Sequence, residues 1–599
     1  MGVLAFNDDD AFGRVMAVDT ATVRVSVQNV DQLRTLQVNR LVALQSSRPG
    51  QHLIGMVQKI VRTGLIDSDR RTTDESAEGD DDLPHEDNSV KIALVGTLIA
   101  RQGTDRDIFR RTLESVPEID AACFKLEGEQ LTNFMDVLSR SKNSSTASLS
   151  LGHYTLDDRA EAYVDGNRFF QRHAVVVGST GSGKSWTTAR LLEQVSALPN
   201  ANAILFDLHG EYTPITGPGI RHLRIAGPSD LKTSSDSNVI YLPYWLLTYE
   251  LLVSMLVDRS DQNAPNQTMV VARTINDLKR KYLEDGKHED VLADFTLDSP
   301  VPFPIDGLLT ELQRLDTEMV QGSRGDKQGP YHGKLSRLIA RVNNRRHDRR
   351  VGFMFSPPEN TNNFDWLGKQ LCGQLMLPTS CGDDDHGGVK IIDCSDVPSD
   401  IIPLVLATLA RLVFTVQQWT PKADRHPIGL ICEEAHLYIP ARSDSDDGGT
   451  VAASVFSRIA KEGRKYGVGL VVISQRPSEV SRTVLSQCSN FVALRLANAE
   501  DQGVIQRLLP DSLGGFAGLL PVLDTGEAIV VGDACLLPSR IRISEPVNRP
   551  ASGTVDFWDE WAKDSVTDVV EQAVHSMRCQ NQAASSCASS KKTRQTKKK

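Results

Sequence analysis

His173–Ser185 reads HAVVVGSTGSGKS, and this stretch decides the fold. Ala174 to Val177 suit a short buried strand, because β-branched side chains pack well on a pleated surface. Gly178, Gly183, Lys184 and Ser185 then keep the spacing G-x-x-x-x-G-K-[ST]. Glycines let the backbone curl until successive N–H groups face inward, and a helix beginning near Lys184 adds the positive end of its dipole. Gly178, Ser179, Thr180, Gly181, Ser182, Gly183, Lys184 and Ser185 are therefore expected to cradle phosphates. Lys184 suits the β- and γ-phosphates, and the Ser185 hydroxyl suits Mg²⁺. The expected ligand is ATP with Mg²⁺. An apolar stripe of Trp186, Ala189, Leu191, Leu192, Val195 and Leu198 predicts that the helix continues and packs.

Downstream, apolar runs alternate with helical patterns. ANAILFDLHGEY ends in Asp207, His209 and Glu211; VKIIDCSDV, IGLICEEAH and VGLVVISQRP follow, with helices between them. Near-continuous apolar strands alternating with helices predict an α/β fold, a RecA-like P-loop core with a mainly parallel sheet covered on both faces. IGLICEEAH would set Glu433 and Glu434 at the carboxyl edge of that sheet. One of them can hold Mg²⁺ through water while the other orients or deprotonates the attacking water. Gln475 ends the next strand, where it could sense the γ-phosphate or hold the lytic water. Arg458, Arg464, Arg476 and Arg495 surround that strand, and some could stabilise phosphate charge across a subunit boundary.

A chain of 599 residues has room for several cores. Residues 1–150 alternate as a small β-barrel would, interrupted by the acidic, apolar-poor stretch 67–89, which is expected to be disordered. The core is expected over 151–245 and 386–548. A helical insertion fills 246–385, helical sequence follows over 549–578, and 579–599 is a polar tail ending in KKTRQTKKK. Within the insertion, Arg337, Arg341, Arg345, Arg346, Arg349 and Arg350 form a basic patch read first as a solvated face. The formal net charge of −11 excludes bulk attraction to nucleic acid, so any such contact needs a local basic surface. Nine scattered cysteines without a C-x-x-C pair argue for reduced thiols and against zinc. No signal-peptide pattern and no apolar run of about 20 residues stand out, so the expected place is the cytoplasm.

Taken together, the barrel-like N-terminus, GSTGSGKS, DLHGEY, LPYWLL, the helical insertion, EEAH, EGRKYGVGLVVISQRPSEV and FVALRLAN resemble the HerA family. Those proteins are hexameric DNA-translocating ATPases related to FtsK. The resemblance covers most of 1–66, 90–245 and 385–548. It implies that Lys184 and Ser185 bind phosphate and Mg²⁺, that Glu434 is the catalytic carboxylate and that Gln475 is the sensor. Asp207, His209 and Glu211 match a family motif whose roles spacing does not reveal. It further implies a ring that threads double-stranded DNA and works with a nuclease: NurA in archaeal end resection, or sirtuin-like and other effectors in bacterial anti-phage defence. The N-terminal barrel, which carries no phosphate-binding motif and has a strongly acidic inserted loop, is the expected docking platform for that partner. A competing expectation is a nucleotide-binding oligomeric scaffold that docks an effector nuclease without translocating.

Overall fold

The computed structural model describes most of residues 4–579. The stretches 63–87, 101–106, 140–147, 233–236, 378–387, 442–447, 509–517 and 564–569, the extreme ends and a few single positions lie outside that description. The acidic stretch 67–89, save its last two residues, and the tail from 580 onward are therefore not described. The chain forms two compact units, residues 1–169 with 490–544, and residues 170–489 with 545–599.

The first unit opens with β1 (Gly13–Asp19), β2 (Thr22–Ser26), β3 (Leu41–Gln45), β4 (Gln51–Arg62), β5 (Asn88–Ile99), β6 (Ile108–Arg110) and β7 (Ala122–Lys125). They pair in the order β2-β1-β7-β3-β4-β5, and β2 pairs back onto β5, so six antiparallel strands close into a barrel with β6 added alongside β5. Alternation builds its interior: Val15, Val23, Val25, Val42, Leu44, Leu53, Val57, Val90 and Ile92 all point inward. β4 and β5 pass so closely that a Cβ on Gly55 would collide with Ile92. After the barrel come β8 (Ser148–Tyr154) and β9 (Asp157–Asp165).

The second unit holds β10 (Ala174–Val177), β11 (Ala203–Asp207), β12 (Ile220–Ile225), β13 (Val239–Ile240), the hairpin β14 (Met319–Gly322) and β15 (Gly325–Gln328), β16 (Val389–Asp393), β17 (Ile428–Cys432) and β18 (Val468–Ser474). All of these but the hairpin form one sheet, in the order β13-β12-β16-β11-β17-β18-β10, and every pairing is parallel. β10, β11, β17 and β18 are buried along their whole length, which is why they read as unbroken apolar runs. The P-loop strand β10 and the acid-pair strand β17 are separated by β18, the order that defines the RecA-like core.

Between β13 and β16 lie the helices Tyr249–Leu256, Ala264–Asp285, Ile305–Thr317 and Ser336–His347. One helix among the described residues, Ile402–Trp419, is long and apolar enough to cross a membrane by length and composition. It packs along the helix Gly448–Tyr466, and 61% of it is buried within the fold.

Back in the first unit, β19 (Asn490–Leu494), β20 (Glu527–Gly532) and β21 (Ser539–Ile543) run antiparallel, and β21 pairs with β8 and β8 with β9. This grouping differs from the expectation that the first domain ends at 150 and that 490–544 belongs to the core. Antiparallel pairing between strands nearly 400 residues apart leaves no trace in local periodicity.

Candidate functional site

The site is built at the carboxyl ends of four neighbouring strands of the second unit. Adjacent strands lie about 4.8 Å apart, so β10 and β17, two steps from each other, stand about 10 Å apart, the span of a polyphosphate. The strand order sets that distance before any side chain is considered.

Beyond β10, Gly181 and Gly183 adopt φ +72° and +108°, a region closed to most side chains, and a Cβ on Gly181 would meet only open space. The loop is anchored where the Gly178 N–H donates to the Ser474 carbonyl at 3.4 Å. The helix Lys184–Ser196 starts directly from Gly183. It buries Thr187, Thr188, Ala189, Leu191, Leu192 and Val195. Trp186 and Leu198, expected in the apolar stripe, are exposed instead; Trp186 lies under the Arg549 guanidinium, 5.5 Å from the ring centre. Lys184 Nζ donates to the Ser179 carbonyl at 3.2 Å, and burial lowers its pKa against the opposing pull of Glu434, Glu211 and Glu433. An ammonium held back from water and facing acids is poised to trade that carbonyl for phosphate oxygens.

Glu433 and Glu434 close β17. Glu433 is buried, and its Oε1 accepts from the Tyr212 hydroxyl at 2.8 Å. Burial, then the neighbouring Asp207, pushes its pKa well above the ordinary carboxylate value. Glu434 stands at φ 43°, ψ 44°, a left-handed backbone that a non-glycine residue seldom holds. Its carboxylate lies 3.3 Å from His436 Nδ1, and that nitrogen is also 3.3 Å from Ser474 Oγ. Burial lowers the His436 pKa, so the ring is a neutral neighbour near pH 7. Gln475 follows β18, and its Oε1 accepts from the Thr180 hydroxyl at 2.9 Å. The sensor candidate thus touches the tip of the P-loop.

The motif after β11 proves to be scaffolding with one reaching arm. Asp207 Oδ1 accepts from the N–H groups of His209 and Glu211, at 3.3 and 3.1 Å, and Oδ2 accepts from Tyr212 at 3.0 Å. Burial raises the Asp207 pKa to about 6. The turn it ties brings Glu211 Oε2 to the Ser185 hydroxyl, which donates to it at 2.9 Å, while His209 is left exposed. Tyr212 was not singled out from sequence; its place directly after Glu211 was the available signal.

The arginines divide. Arg458 stacks on Phe414 and pairs with Glu462, and Arg476 pairs with Glu479. Arg464 is exposed and makes no ion pair among the described residues. Arg495 follows β19 in the other unit and is half-buried.

Mg²⁺ takes oxygen ligands and keeps several waters. The site offers the Ser185 hydroxyl, Glu211, Glu433 and Glu434, and Glu433 Oε2 is buried with no hydrogen-bond partner among the described residues. A buried carboxylate oxygen left without a partner at the end of β17 fits such an ion. No group of three or more His, Cys, Asp or Glu that could hold a metal ion occurs among the described residues.

Residues 149–365 match the family model described as Helicase HerA, central domain. The chain is 26% identical over 410 residues to the DNA double-strand break repair helicase HerA of Sulfolobus acidocaldarius, covering 67% of this chain and 71% of that one. It is 24% identical over 402 residues to the protein of the same name from Saccharolobus solfataricus, covering 66% and 68%. To its Pyrococcus furiosus counterpart it is 41% identical over 122 residues, 20% of each chain. Among solved structures it is similar to VirB4 of Thermoanaerobacter pseudethanolicus, with TM-score 0.41 and 18% identity over 68% of this chain and 98% of that one. It is also similar to the plasmid coupling protein TrwB in complex with a non-hydrolysable ATP analogue, with TM-score 0.42 and 14% identity over 70% and 95%. Residues 149–365 thus match the HerA central-domain model, and the chain is similar to HerA helicases along about two thirds of its length.

Proposed function

We propose that this HerA-related chain is a Mg²⁺-dependent ATPase that works as a ring to translocate double-stranded DNA, as the motor of a nuclease complex in DNA end processing or anti-phage defence. The observation that carries the reading is the meeting, on adjacent parallel strands, of a P-loop lysine, a strained strand-end glutamate and a glutamine bonded to the loop. In this reading Lys184 and the loop N–H groups bind the phosphates, Ser185 faces the metal, and Glu433 lies behind it. Glu434 takes the proton of the attacking water, and Gln475 leaves Thr180 to meet the γ-phosphate. Bound Mg²⁺ would neutralise charge on the phosphate oxygens. The relatives named as DNA double-strand break repair helicases support duplex DNA as the track. The N-terminal barrel, which has no phosphate-binding motif, is assigned to docking the nuclease or other effector.

The test is ATP turnover with and without linear duplex DNA. Lys184→Ala should abolish nucleotide binding and turnover together, whereas Glu434→Gln should retain bound ATP. DNA should raise the parent's turnover. Turnover indifferent to DNA, with partner activation surviving in Glu434→Gln, would replace the motor by a nucleotide-binding scaffold.

A further inference from the structure

In this chain the P-loop serine and the strand-end acid expected to manage the metal are each hydrogen-bonded to another residue. Glu433 Oε1 is taken by the Tyr212 hydroxyl, and the Ser185 hydroxyl donates to Glu211 instead. Both contacts issue from one turn. Asp207 gathers three successive-turn N–H groups, and Gly210 at φ +71° lets the chain double back. As a result, neighbouring residues point to opposite sides, Glu211 to the P-loop helix and Tyr212 to the end of β17.

We infer that Glu211 is the carboxylate that positions the metal in this site, by accepting the Ser185 proton and the proton of a metal-bound water, while Glu433 is held one step back by Tyr212. The argument is one of lone pairs. A serine hydroxyl bound to Mg²⁺ through its oxygen must place its hydrogen on an acceptor pointing away from the ion. At 2.9 Å, Glu211 Oε2 already fills that place without blocking the oxygen. Its second oxygen remains to hold a water of the hydrated ion. Glu433 has only Oε2 to offer, because Oε1 is held by the fully enclosed hydroxyl of Tyr212, and the Ser185 hydroxyl already donates to Glu211. Freeing Oε1 as well, so that Glu433 could take both the serine and a water, would leave the buried phenol without its acceptor. Glu211 has no such tie and is half-exposed at the open end of the sheet.

This inference rests on the nucleotide reading above, and the experiment separates the two. A fluorescent ADP is titrated into the full-length chain, once with excess chelator and once with Mg²⁺, and the gain in affinity due to the metal is compared among variants. Outer ligands of this kind typically contribute tenfold or more in metal affinity, so Glu211→Gln should cut the gain by about tenfold. Glu433→Gln should cut it by less, and Tyr212→Phe should leave it near the parent value. Metal-free ADP affinity serves as the check on folding, because it depends on the loop and Lys184. A parent-like metal gain in Glu211→Gln, or a larger loss in Glu433→Gln, returns the role to Glu433 and overturns the inference. A parent chain that binds ADP under neither condition removes the nucleotide reading, and this assignment with it.

Discussion

Two regions of the second unit concentrate charge, and they treat it in opposite ways. On the helix Ser336–His347 and the turn after it, four of the six arginines are paired with acids. Arg337 lies 4.0 Å from Asp261, Arg341 3.7 Å from Asp258, and Arg350 2.7 Å from Asp348. Arg346 pairs with Asp306. At the carboxyl end of the sheet, by contrast, Lys184, Glu433 and Glu434 are withdrawn from water without forming a matched ion pair, and several polar atoms wait for partners. Surface pairs satisfy one another and contribute little, generally below 1 kcal/mol each. Charges kept apart in a cleft carry a cost that a ligand can relieve, and that is the physical mark of a site. Counting cations would have ranked the arginine-rich helix first; counting unsatisfied ones reverses the order.

The sharpest way to press this contrast is to move one arginine from the first class to the second. Arg464, exposed and unpaired among the described residues, is the leading candidate to complete a neighbouring subunit's site, ahead of Arg476, Arg458 and Arg495. Arg464→Ala should lower turnover by about 10³-fold or more, as expected for an arginine acting on transition-state charge. Mixing it with Lys184→Ala subunits should restore part of the activity that neither variant has alone. Unchanged specific activity in a verified monomer would put Arg464 with the surface pairs.

A smaller effect is expected at the strand end. Glu434→Gln should slow hydrolysis by about 10² to 10⁴, the range of a lost general base, with ATP still bound in a filter assay. If Glu433→Gln does the same and Glu434→Gln does not, the two acids exchange roles.

The third test reads stability. His173 is buried at φ 54°; its Nδ1 accepts from the Leu470 N–H at 3.0 Å and its Nε2 lies 3.1 Å from the Ala460 carbonyl. Burial pushes its pKa down to about 4, with Arg464 adding to the shift. The unfolded imidazole, near 6.5, therefore binds a proton in a range where the folded one does not. Stability contributed by the neutral ring is complete above about pH 6.5 and is lost as pH falls toward 4. Between pH 6.5 and 5 the loss should come to about 1.6 kcal/mol. In His173→Asn, the drop in unfolding midpoint between those two pH values should shrink by that amount. An undiminished drop would place the acid sensitivity elsewhere.

The weakest effect belongs to the arginine-rich helix. Arg337→Ala combined with Arg341→Ala should change DNA-stimulated turnover by less than about twofold, since both side chains are already engaged. A tenfold loss would make that face part of the DNA path.

The sequence carried the P-loop, the acid pair and the parallel core because each depends on local order: a strand, a turn rich in glycine, an apolar run ending in acids. It could not carry the partnership of Glu211 with Ser185, since a hydrogen bond between residues 26 apart depends on how strands are ordered in the sheet. Trp186 was misplaced for a related reason. Periodicity places it on the apolar face, but Arg549, more than 300 residues away, gives its ring a cationic cover at the surface. The hairpin Met319–Gln328 escaped notice because its residues are mostly polar and exposed, without the alternation that marks a half-buried strand.

The left-handed backbone at Glu434 has an evolutionary side. A non-glycine residue held there costs on the order of 1 kcal/mol, which glycine would not incur. Mutational drift toward sturdier protein would thus favour Glu434→Gly, yielding a chain that folds more readily and does less. A glycine found at this position in a natural relative would mark a lineage that kept the body of the machine after abandoning its engine.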